Sequence, residues 1–370
     1  MEPQELKTAH VGHRISEPAG EVRQAYQSYV RRKWLALIIV AIVTFVLAFI
    51  SVMHGSSDLP AGDVLAALFG FGDEHTSMVV WSLRMPHVLT AIIGGIALAL
   101  AGCSFQSVLD NPLASASTLG ISQGAAFGAS VAIIVLASFD PMASTVHDGV
   151  VFTNPTTTAV CAFLGALIAM LVILALSRFR DMTPQSIVLA GVALSAMFSG
   201  VTALIQYFAN DTQVAAVVFW TFGSLRRTGY SQIAIMAIVT IIAAVFFHFN
   251  RWNYNAMESG EGSAHGLGVS VKSVRLSNML VATLSASTVI AFCGTINFIG
   301  LIAPHIMRRF IGSDYRFLLP ASAFAGAAIL LLSDLIASSV MTGVILPIGA
   351  ITSLVGAPVF LYLLMKGMRR

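Results

Sequence analysis

Long apolar runs separated by short polar stretches make up most of this chain and predict a bundle of membrane-spanning helices. All but one of the runs are long enough to cross an apolar layer about 30 Å thick as a helix. Strands of a membrane barrel alternate over about 10 residues, a pattern that these runs lack. The eighth run is too short for a straight span and is expected to be partial or broken. The ten runs cover residues 34–53, 86–108, 120–138, 158–177, 184–208, 230–249, 275–296, 298–310, 317–338 and 346–366.

The composition supports an all-α integral membrane protein with ten transmembrane helices. Hydrophobic residues make up 57% of the chain and charged residues 10%, with a mean hydropathy of +0.85. A soluble domain carries about 25% charged residues, so a soluble fold is excluded. We expect a polar tail at 1–33, a ten-helix domain at 34–366 and a short tail at 367–370. The first apolar run is long enough to stay as a helix, so no cleaved signal peptide is expected.

The basic residues predict the orientation of the helices. Cytoplasmic loops of membrane proteins are enriched in Lys and Arg. With the N-terminus in the cytoplasm, 17 of the 20 basic residues fall on that side, and only Arg84, Arg226 and Arg227 fall outside. Both termini are therefore predicted to be cytoplasmic.

One glycine–proline pattern occurs twice in the sequence. Gly102 is followed ten residues later by Pro112, and Gly294 is followed at the same spacing by Pro304. The first copy begins at span two and the second at span seven, a shift of five helices that reverses direction through the membrane. We therefore predict an inverted repeat that relates spans 2–5 to spans 7–10. Such repeats are common in transporters, where they build a shared pathway.

Small residues predict close contacts between helices. Gly120, Gly124 and Gly128 lie four residues apart, which places them on one face of span three. Glycines in this arrangement favour tight helix packing over contact with a transported molecule. The isolated cysteines are likewise expected to be small packing residues, and they are Cys103, Cys161 and Cys293.

Asp334 is the one acidic residue well inside an apolar run. A charge in the membrane is costly and often functional. Because no partner at a similar depth is evident, a structural carboxyl is favoured over a proton relay.

The segment 250–272 is the longest polar stretch between two spans on the cytoplasmic side. It is interpreted either as a solvated connector or as short helices that bind a cytoplasmic partner. No GxxxxGK[ST] or HExxH motif occurs, and the nine histidines are scattered. The chain is therefore expected to have no P-loop, no catalytic site and no metal site, and no nucleic-acid partner is expected.

A long ordered series of short motifs runs through the chain. They are Arg84-Met85-Pro86, the Gly94 to Gly102 run, Gln106, Asn111-Pro112-Leu113-Ala114, Leu119-Gly120-Ile121-Ser122, Gly124-Ala125, Leu189-Ala190-Gly191, Gly223-Ser224-Leu225, Leu267-Gly268-Val269, the run from Phe298 to His305, Leu318-Leu319-Pro320, Asp334, Pro347-Ile348-Gly349 and Gly356-Ala357-Pro358. Over about residues 60–366 this series resembles the FecCD family, the membrane permeases of type II ABC importers for iron–siderophore complexes, haem and cobalamin.

The resemblance implies an assembly in a bacterial or archaeal plasma (inner) membrane. Two copies would form a homodimer with the translocation pathway at its axis. Two cytoplasmic ATPase subunits would bind ATP and Mg, and an extracytoplasmic binding protein would deliver substrate. The permease itself would bind no cofactor and catalyse no reaction.

The resemblance also implies roles for individual positions. Similarity to the cobalamin importer places the cytoplasmic gate at Asn111, Leu113, Pro184 and Gln185. The ATPase subunits would contact a coupling loop within 250–272, at Met257, Glu258, Gly260, Ala264, Leu267 and Gly268. The binding protein would dock on Arg84, Arg226 and Arg227.

Three positions depart from the family pattern. Members often carry Arg where this chain has Ser338 and Glu where it has Ile345, and His87 replaces an arginine close to Arg84. Loss of both charges at 338 and 345 is less costly than loss of one, because a lone buried charge would be left unpaired. Docking is therefore expected to rely on Arg84.

The substrate and the energy source stay open at this stage. A ferric siderophore is the first expectation, because it is the family's commonest substrate, and haem and cobalamin are the alternatives. An ion- or proton-driven secondary transporter is the rival interpretation, since inverted repeats occur there too. Asp334 alone gives that interpretation little support.

Overall fold

The structure is a computed structural model of the chain. It describes residues 19–55, 59–137, 145–147, 150–152, 154–179, 183–340 and 346–367. Most of the predicted N-terminal tail, the residues 368–370 of the C-terminal tail and the departure at Ile345 lie outside the described residues.

Fourteen α-helices and one β-hairpin form the described part of the chain. The helices are α1 (Ala19–Met53), α2 (Ala61–Leu68), α3 (Glu74–Met78), α4 (Met85–Val108), α5 (Ile121–Ser130), α6 (Pro155–Phe179), α7 (Pro184–Tyr207), α8 (Asp211–Thr221), α9 (Tyr230–Glu258), α10 (Glu261–Gly266), α11 (Val271–Cys293), α12 (Ile299–Ile311), α13 (Tyr315–Ser339) and α14 (Ile348–Gly367). Wider π-helical turns at Val79–Arg84 and Val131–Leu136 lead into α4 and continue α5. The antiparallel hairpin pairs β1 (Thr145–His147) with β2 (Val150–Phe152).

All ten predicted apolar runs are helical, which confirms the helical membrane class. Seven helical stretches of the described chain are long and apolar enough to cross a membrane. The runs at 120–138 and 346–366 contain shorter apolar helices, and the run at 298–310 forms the 13-residue α12. The exact count of ten crossings stays a prediction. The short helices α2, α3 and α8 and the hairpin lie between the predicted spans and were not predicted.

Polar residues at the helix starts explain several of these boundaries. The Thr183 side chain accepts a hydrogen bond from the Ser186 amide, and Pro184 follows as the first residue of α7. Proline suits this position because the first helical amides have no partner within the helix. Asp314 caps α13 by accepting from the Arg316 amide.

Close backbone contacts hold α4 against its neighbours. A Cβ atom added to Gly95 would lie 2.5 Å from the Gly326 carbonyl oxygen of α13. A Cβ added to Gly102 would lie 1.8 Å from the Gly300 carbonyl oxygen of α12. Only glycine lets these backbones meet, as is common where helices pack in membranes.

The predicted glycine face on span three is correct at two of its three positions. A Cβ at Gly124 would lie 2.5 Å from the Gly165 oxygen of α6, and one at Gly128 would lie 2.0 Å from the Cys161 oxygen. Gly120 instead precedes α5 with φ +77°, a left-handed conformation that favours glycine. Cys103 and Cys293 are fully buried, as expected of packing residues, whereas Cys161 of α6 is partly exposed.

The packing of the helices agrees with an inverted repeat. In the order of predicted spans, α4 corresponds to α11 and α6 to α13. Contacts of α4 with α13 are matched by contacts of α11 with α6. This exchange of partners is what two related halves predict.

The glycine–proline pattern, however, does not mark equivalent places in the two halves. Gly102 lies inside α4 and Pro112 in the loop after it, whereas Gly294 ends α11 and Pro304 lies inside α12. The chain turns into α12 before it reaches Pro304, between Gly294 and Phe298, which both have positive φ.

The two copies of the pattern instead contact one another. Pro304 has no amide hydrogen to donate to the Gly300 carbonyl, which leaves that oxygen without its usual partner in the helix. The Gln106 side-chain amide of α4 lies 3.4 Å from the Gly300 oxygen and 3.2 Å from the Leu301 oxygen. Gln106 thus supplies a donor where the proline removes one.

We expect Gly102→Ala to destabilise the bundle, because the new methyl group would collide with the Gly300 carbonyl. Forced packing of this kind costs about 1–3 kcal/mol. Thermal unfolding of the purified chain in detergent measures the effect. Gly62→Ala is the control, because an added Cβ at Gly62 has no heavy atom within 4 Å. Equal melting temperatures for the two variants would contradict this account of the α4–α12 contact.

Candidate functional site

The loop after α4 holds the first two predicted gate residues in a compact turn. The Asn111 side-chain oxygen accepts a hydrogen bond from the Leu113 amide at 2.9 Å, and its backbone amide donates to the Gln106 carbonyl at 3.1 Å. Asp110 has φ +41°, which is unfavourable for a residue other than glycine. Leu113 is 39% exposed, so an apolar side chain projects from an otherwise ordered loop.

The second gate segment is at the start of α7, and a later turn of this helix packs on the loop after α4. A Cβ at Gly191 would lie 2.6 Å from the Thr118 carbonyl oxygen, so the loop before α5 packs directly on α7. Gln185 is exposed in the first turn of α7, next to Pro184. The structure thus joins the loop and α7 but gives no direct contact between the two pairs of predicted gate residues.

The predicted coupling loop contains a short helix between two sharp turns. Gly260 and Gly268 flank α10 with φ +96° and +83°. Met257 and Ala264 are buried and anchor the segment, while Leu267 is 72% exposed. Glu258 is the last residue of α9 and is exposed. An exposed helix with buried anchors favours the partner-binding interpretation of this loop over a solvated connector.

A charged cluster joins α1, α9 and α13 at the cytoplasmic end. The carboxylate of Asp314 lies 2.6 Å from Arg316, and Lys33 of α1 lies 3.9 Å from it. Burial alone would raise the pKa of Asp314, but hydrogen bonds from Arg316 and Asn255 hold it below its usual range. The Asp314 carboxylate is therefore held in its charged form, and its ion pair with Lys33 attaches α1 to the start of α13.

At the outer end, Arg84 is a buried residue. Its Nη1 atom donates to the Val52 and Met53 carbonyl oxygens, both at 2.9 Å, and its side chain is 6% exposed. These are the last two residues of α1, whose carbonyls have no partner within the helix. This position differs from the predicted role in docking, because the guanidinium is turned inward to end α1.

The two other predicted docking residues lie in an outer turn after α8. Arg226 and Arg227 are both exposed, and Arg227 also donates through Nη2 to the Phe219 carbonyl at 2.8 Å. The Thr228 hydroxyl bonds to the Thr90 hydroxyl, which attaches this turn to α4. Arg226 is thus the exposed member of the predicted group for which no backbone contact of this kind is seen within the described residues.

Asp334 has a partner that the sequence did not reveal. His87 Nε2 lies 2.8 Å from Asp334 Oδ1, and each side chain is 11% exposed. The pair lies on the wall of a cavity of about 230 Å³ that Arg226 and Arg227 also line. The expectation of a satisfied carboxyl holds, but the statement that no partner lies nearby was wrong. His87 carries this contact at a position where the family often has arginine.

Comparison with known proteins decides the family. The model of the FecCD transport family matches residues 41–366.

The chain belongs to the FecCD transport family.

Relatives and a solved structure agree with this assignment. A Methanocaldococcus jannaschii protein named as an ABC transporter permease is 46% identical over 350 residues, covering 95% of this chain and 99% of the relative. The Fe(3+)-citrate import permease YfmE of Bacillus subtilis is 33% identical over 335 residues, covering 90% and 96%. A solved metal-chelate type ABC transporter in an inward-facing conformation has a TM-score of 0.76 at 26% identity, covering 89% and 98%. The FecCD chain is therefore a transport permease.

One polar contact of this FecCD permease was not foreseen. Arg275, in the second turn of α11, bonds to the Val108 carbonyl of α4 and to Glu261 of α10. In the sequence Arg275 is one of many basic residues near a membrane boundary, where they are read as orientation signals. Only the fold brings its two partners together.

We expect Arg84→Ala to destabilise the permease, because two buried carbonyl oxygens would lose their donor. A buried group left without a partner costs about 1–3 kcal/mol. The melting temperature in detergent should therefore fall clearly for Arg84→Ala. Arg226→Ala is the matched control, since exposed side chains usually change stability by less than about 0.5 kcal/mol. Equal stability of the two variants would contradict the structural role of Arg84 at the end of α1.

Proposed function

We propose that this chain is the membrane subunit of an ATP-driven importer that carries a metal chelate, first of all a ferric siderophore, into the cytoplasm. The observation that carries the proposal is α10, an exposed six-residue helix that shares a cavity with the predicted gate segment at Pro184 and is joined through Arg275 to the end of α4. A permease without its own nucleotide site needs such a contact so that ATP hydrolysis in an ATPase subunit can change the conformation of the permease. The ATP and Mg would be held by that partner.

The metal-chelate substrate is supported by the family and its relatives. The B. subtilis relative is named as a ferric citrate permease, and the solved neighbour is described as a metal-chelate type transporter. Haem and cobalamin are the alternatives within the same machinery.

Homodimer formation is supported by the exposed face of α7. This face carries small residues at helical spacing, and they are Ala193, Ala196, Gly200 and Ala203. Leu189, Met197 and Leu204 lie among these small residues on α7, and the exposed face of α9 presents Ile235, Ile238, Ile242 and Val245. Large aliphatic side chains suit lipid, whereas small ones allow a second helix to approach closely. We assign the α7 face to the partner permease and the pathway between the two copies.

Docking of the binding protein is placed on Arg226 rather than Arg84. Arg226 is exposed at the rim of the outer cavity, while Arg84 is occupied by the end of α1. An exposed cation can attract acidic residues of a partner over a distance of about 10 Å at moderate salt.

The test is uptake into liposomes that contain the permease, its cognate ATPase and trapped ATP, with the binding protein outside. The three probes are ⁵⁵Fe-labelled ferric siderophore, haem and ⁵⁷Co-labelled cobalamin. We expect uptake of the iron chelate that requires ATP and survives a protonophore. Uptake that persists without ATPase and collapses with the protonophore would favour an ion-coupled transporter, with the His87–Asp334 pair as its first titratable candidate. Uptake of haem alone or of cobalamin alone would show that this compound, and not a ferric siderophore, is the substrate.

We expect Arg226→Glu to slow association with the binding protein by about tenfold at low salt, because it reverses an attractive charge. The difference should shrink at high salt, where charges are screened. Surface plasmon resonance on permease in nanodiscs measures the association rate at low salt and at high salt. Arg178→Glu at the cytoplasmic end of α6 is the matched control. Full association of Arg226→Glu at low salt would remove this residue from the docking surface.

A further inference from the structure

Arg275 of α11 contacts two other helices of the permease, α4 and α10. It lies on α11, and its side chain is only 12% exposed. Nε donates to the Val108 carbonyl oxygen at 2.8 Å, while Nη2 forms an ion pair with Glu261. The rigid guanidinium plane therefore bridges α10 to the end of α4.

The α4 end of this bridge adjoins the gate loop. Val108 is the last residue of α4, so its carbonyl oxygen accepts no backbone hydrogen bond within the helix. Val108 and Leu109 are fully buried, and Asp110 follows in its left-handed conformation. Only two residues separate Val108 from Asn111. A displacement of the Val108 carbonyl therefore reaches the gate loop with little chain to absorb it.

The α10 end of the bridge lies on the surface that the ATPase is proposed to contact. The Glu261 side chain is 54% exposed and belongs to the first turn of α10. Arginine is suited to the contact because its planar group bonds two acceptors at fixed angles. A lysine ammonium is a compact point charge that lacks this fixed fork.

The other gate segment meets α10 across an open space. A cavity of about 290 Å³ is lined by Thr183 and Pro184 of the α7 start, by Glu261 and His265 of α10, and by Arg275. α10 is thus linked through Arg275 to the last residue of α4, and a cavity separates it from the start of α7. One gate segment follows a linked helix end, and the other has room to move.

We propose that Arg275 is the positioning residue that transmits movement of α10 to the Asn111–Leu113 gate loop. This role rests on the proposed function, because it requires an ATPase that moves α10. Arg275 touches no substrate; it acts through the Val108 carbonyl and Glu261.

The test follows the gate loop by its accessibility. A thiol introduced by Leu113→Cys, with Cys161→Ser removing a partly exposed thiol, is labelled with a water-soluble maleimide from the cytoplasmic side. The complete complex in nanodiscs is compared without nucleotide and with ATP plus vanadate. In the otherwise native complex the labelling rate should change with nucleotide. Arg275→Gln should reduce this change by about tenfold, a usual size for coupling between sites.

Glu261→Gln distinguishes a link from a local cap. It removes the negative charge that pairs with Arg275 on α10 but leaves the Arg275–Val108 bond, and it alters an exposed side chain that does not threaten folding. We expect the same loss of nucleotide response in Glu261→Gln, and no further loss in the double variant, since both residues form one link. Arg275→Lys should give an intermediate response. Arg309→Gln, an exposed cation at the cytoplasmic end of α12, should keep the full response.

Three outcomes decide the proposals. A native complex whose Leu113→Cys labelling ignores nucleotide would overturn the proposed function as an ATP-driven importer. A native complex that responds, with full responses in both Arg275→Gln and Glu261→Gln, would overturn the link. If Arg275→Gln fails to fold by size-exclusion chromatography, a full response in Glu261→Gln alone overturns it. Stoichiometric co-purification of the ATPase with each variant shows that lost response is not lost assembly.

Discussion

The close backbone contact of α4 with α12 and α13 is the constraint on which the rest of the bundle depends. Lipid tails are as apolar as side chains, so burial of apolar surface alone does little to hold helices together in a bilayer. Contact area and hydrogen bonds must do so instead. Gly95 and Gly102 bring the backbones within reach, and Gln106 then bonds to carbonyls of α12.

Because α4 is fixed at its centre, both of its ends hold other elements in place. At the outer end Arg84 ends α1 by bonding its last carbonyls, and at the inner end the Val108 carbonyl meets Arg275. The helix thus connects the outer surface to the gate loop without a break between Met85 and Val108. A rigid element with a defined contact at each end is a physical route by which two surfaces can influence one another.

Sequence reasoning succeeded where the signal is local or periodic. Apolar runs predicted every long helix, since a membrane demands about 20 apolar residues for each span. Glycines at Gly124 and Gly128 predicted a contact because helical spacing alone places them on one face. It failed where distant residues meet: the partner of Asp334 is His87 in another span, and the partners of Arg275 lie in two other helices. It also misread Arg84, because a charge near the outer boundary looks the same whether it faces solvent or ends a neighbouring helix. The repeated glycine–proline spacing was misleading because Gly102 lies inside α4, whereas Gly294 lies just after the end of α11.

α1 is much longer than a membrane span requires, so positions along it can serve as distance references. Its 35 residues extend about 52 Å at 1.5 Å per residue, well beyond an apolar layer of about 30 Å. Lys33 is buried against Asp314, which sets the depth of the helix, and Ala19–Arg32 continue for about 21 Å beyond it, on the side predicted to be cytoplasmic. A fluorophore attached near the start of α1 would therefore stand at a fixed height from the membrane, on the side where the proposed ATPase subunit would bind. Energy transfer from this fluorophore to the membrane surface or to a labelled subunit would give distances relative to the known length of α1.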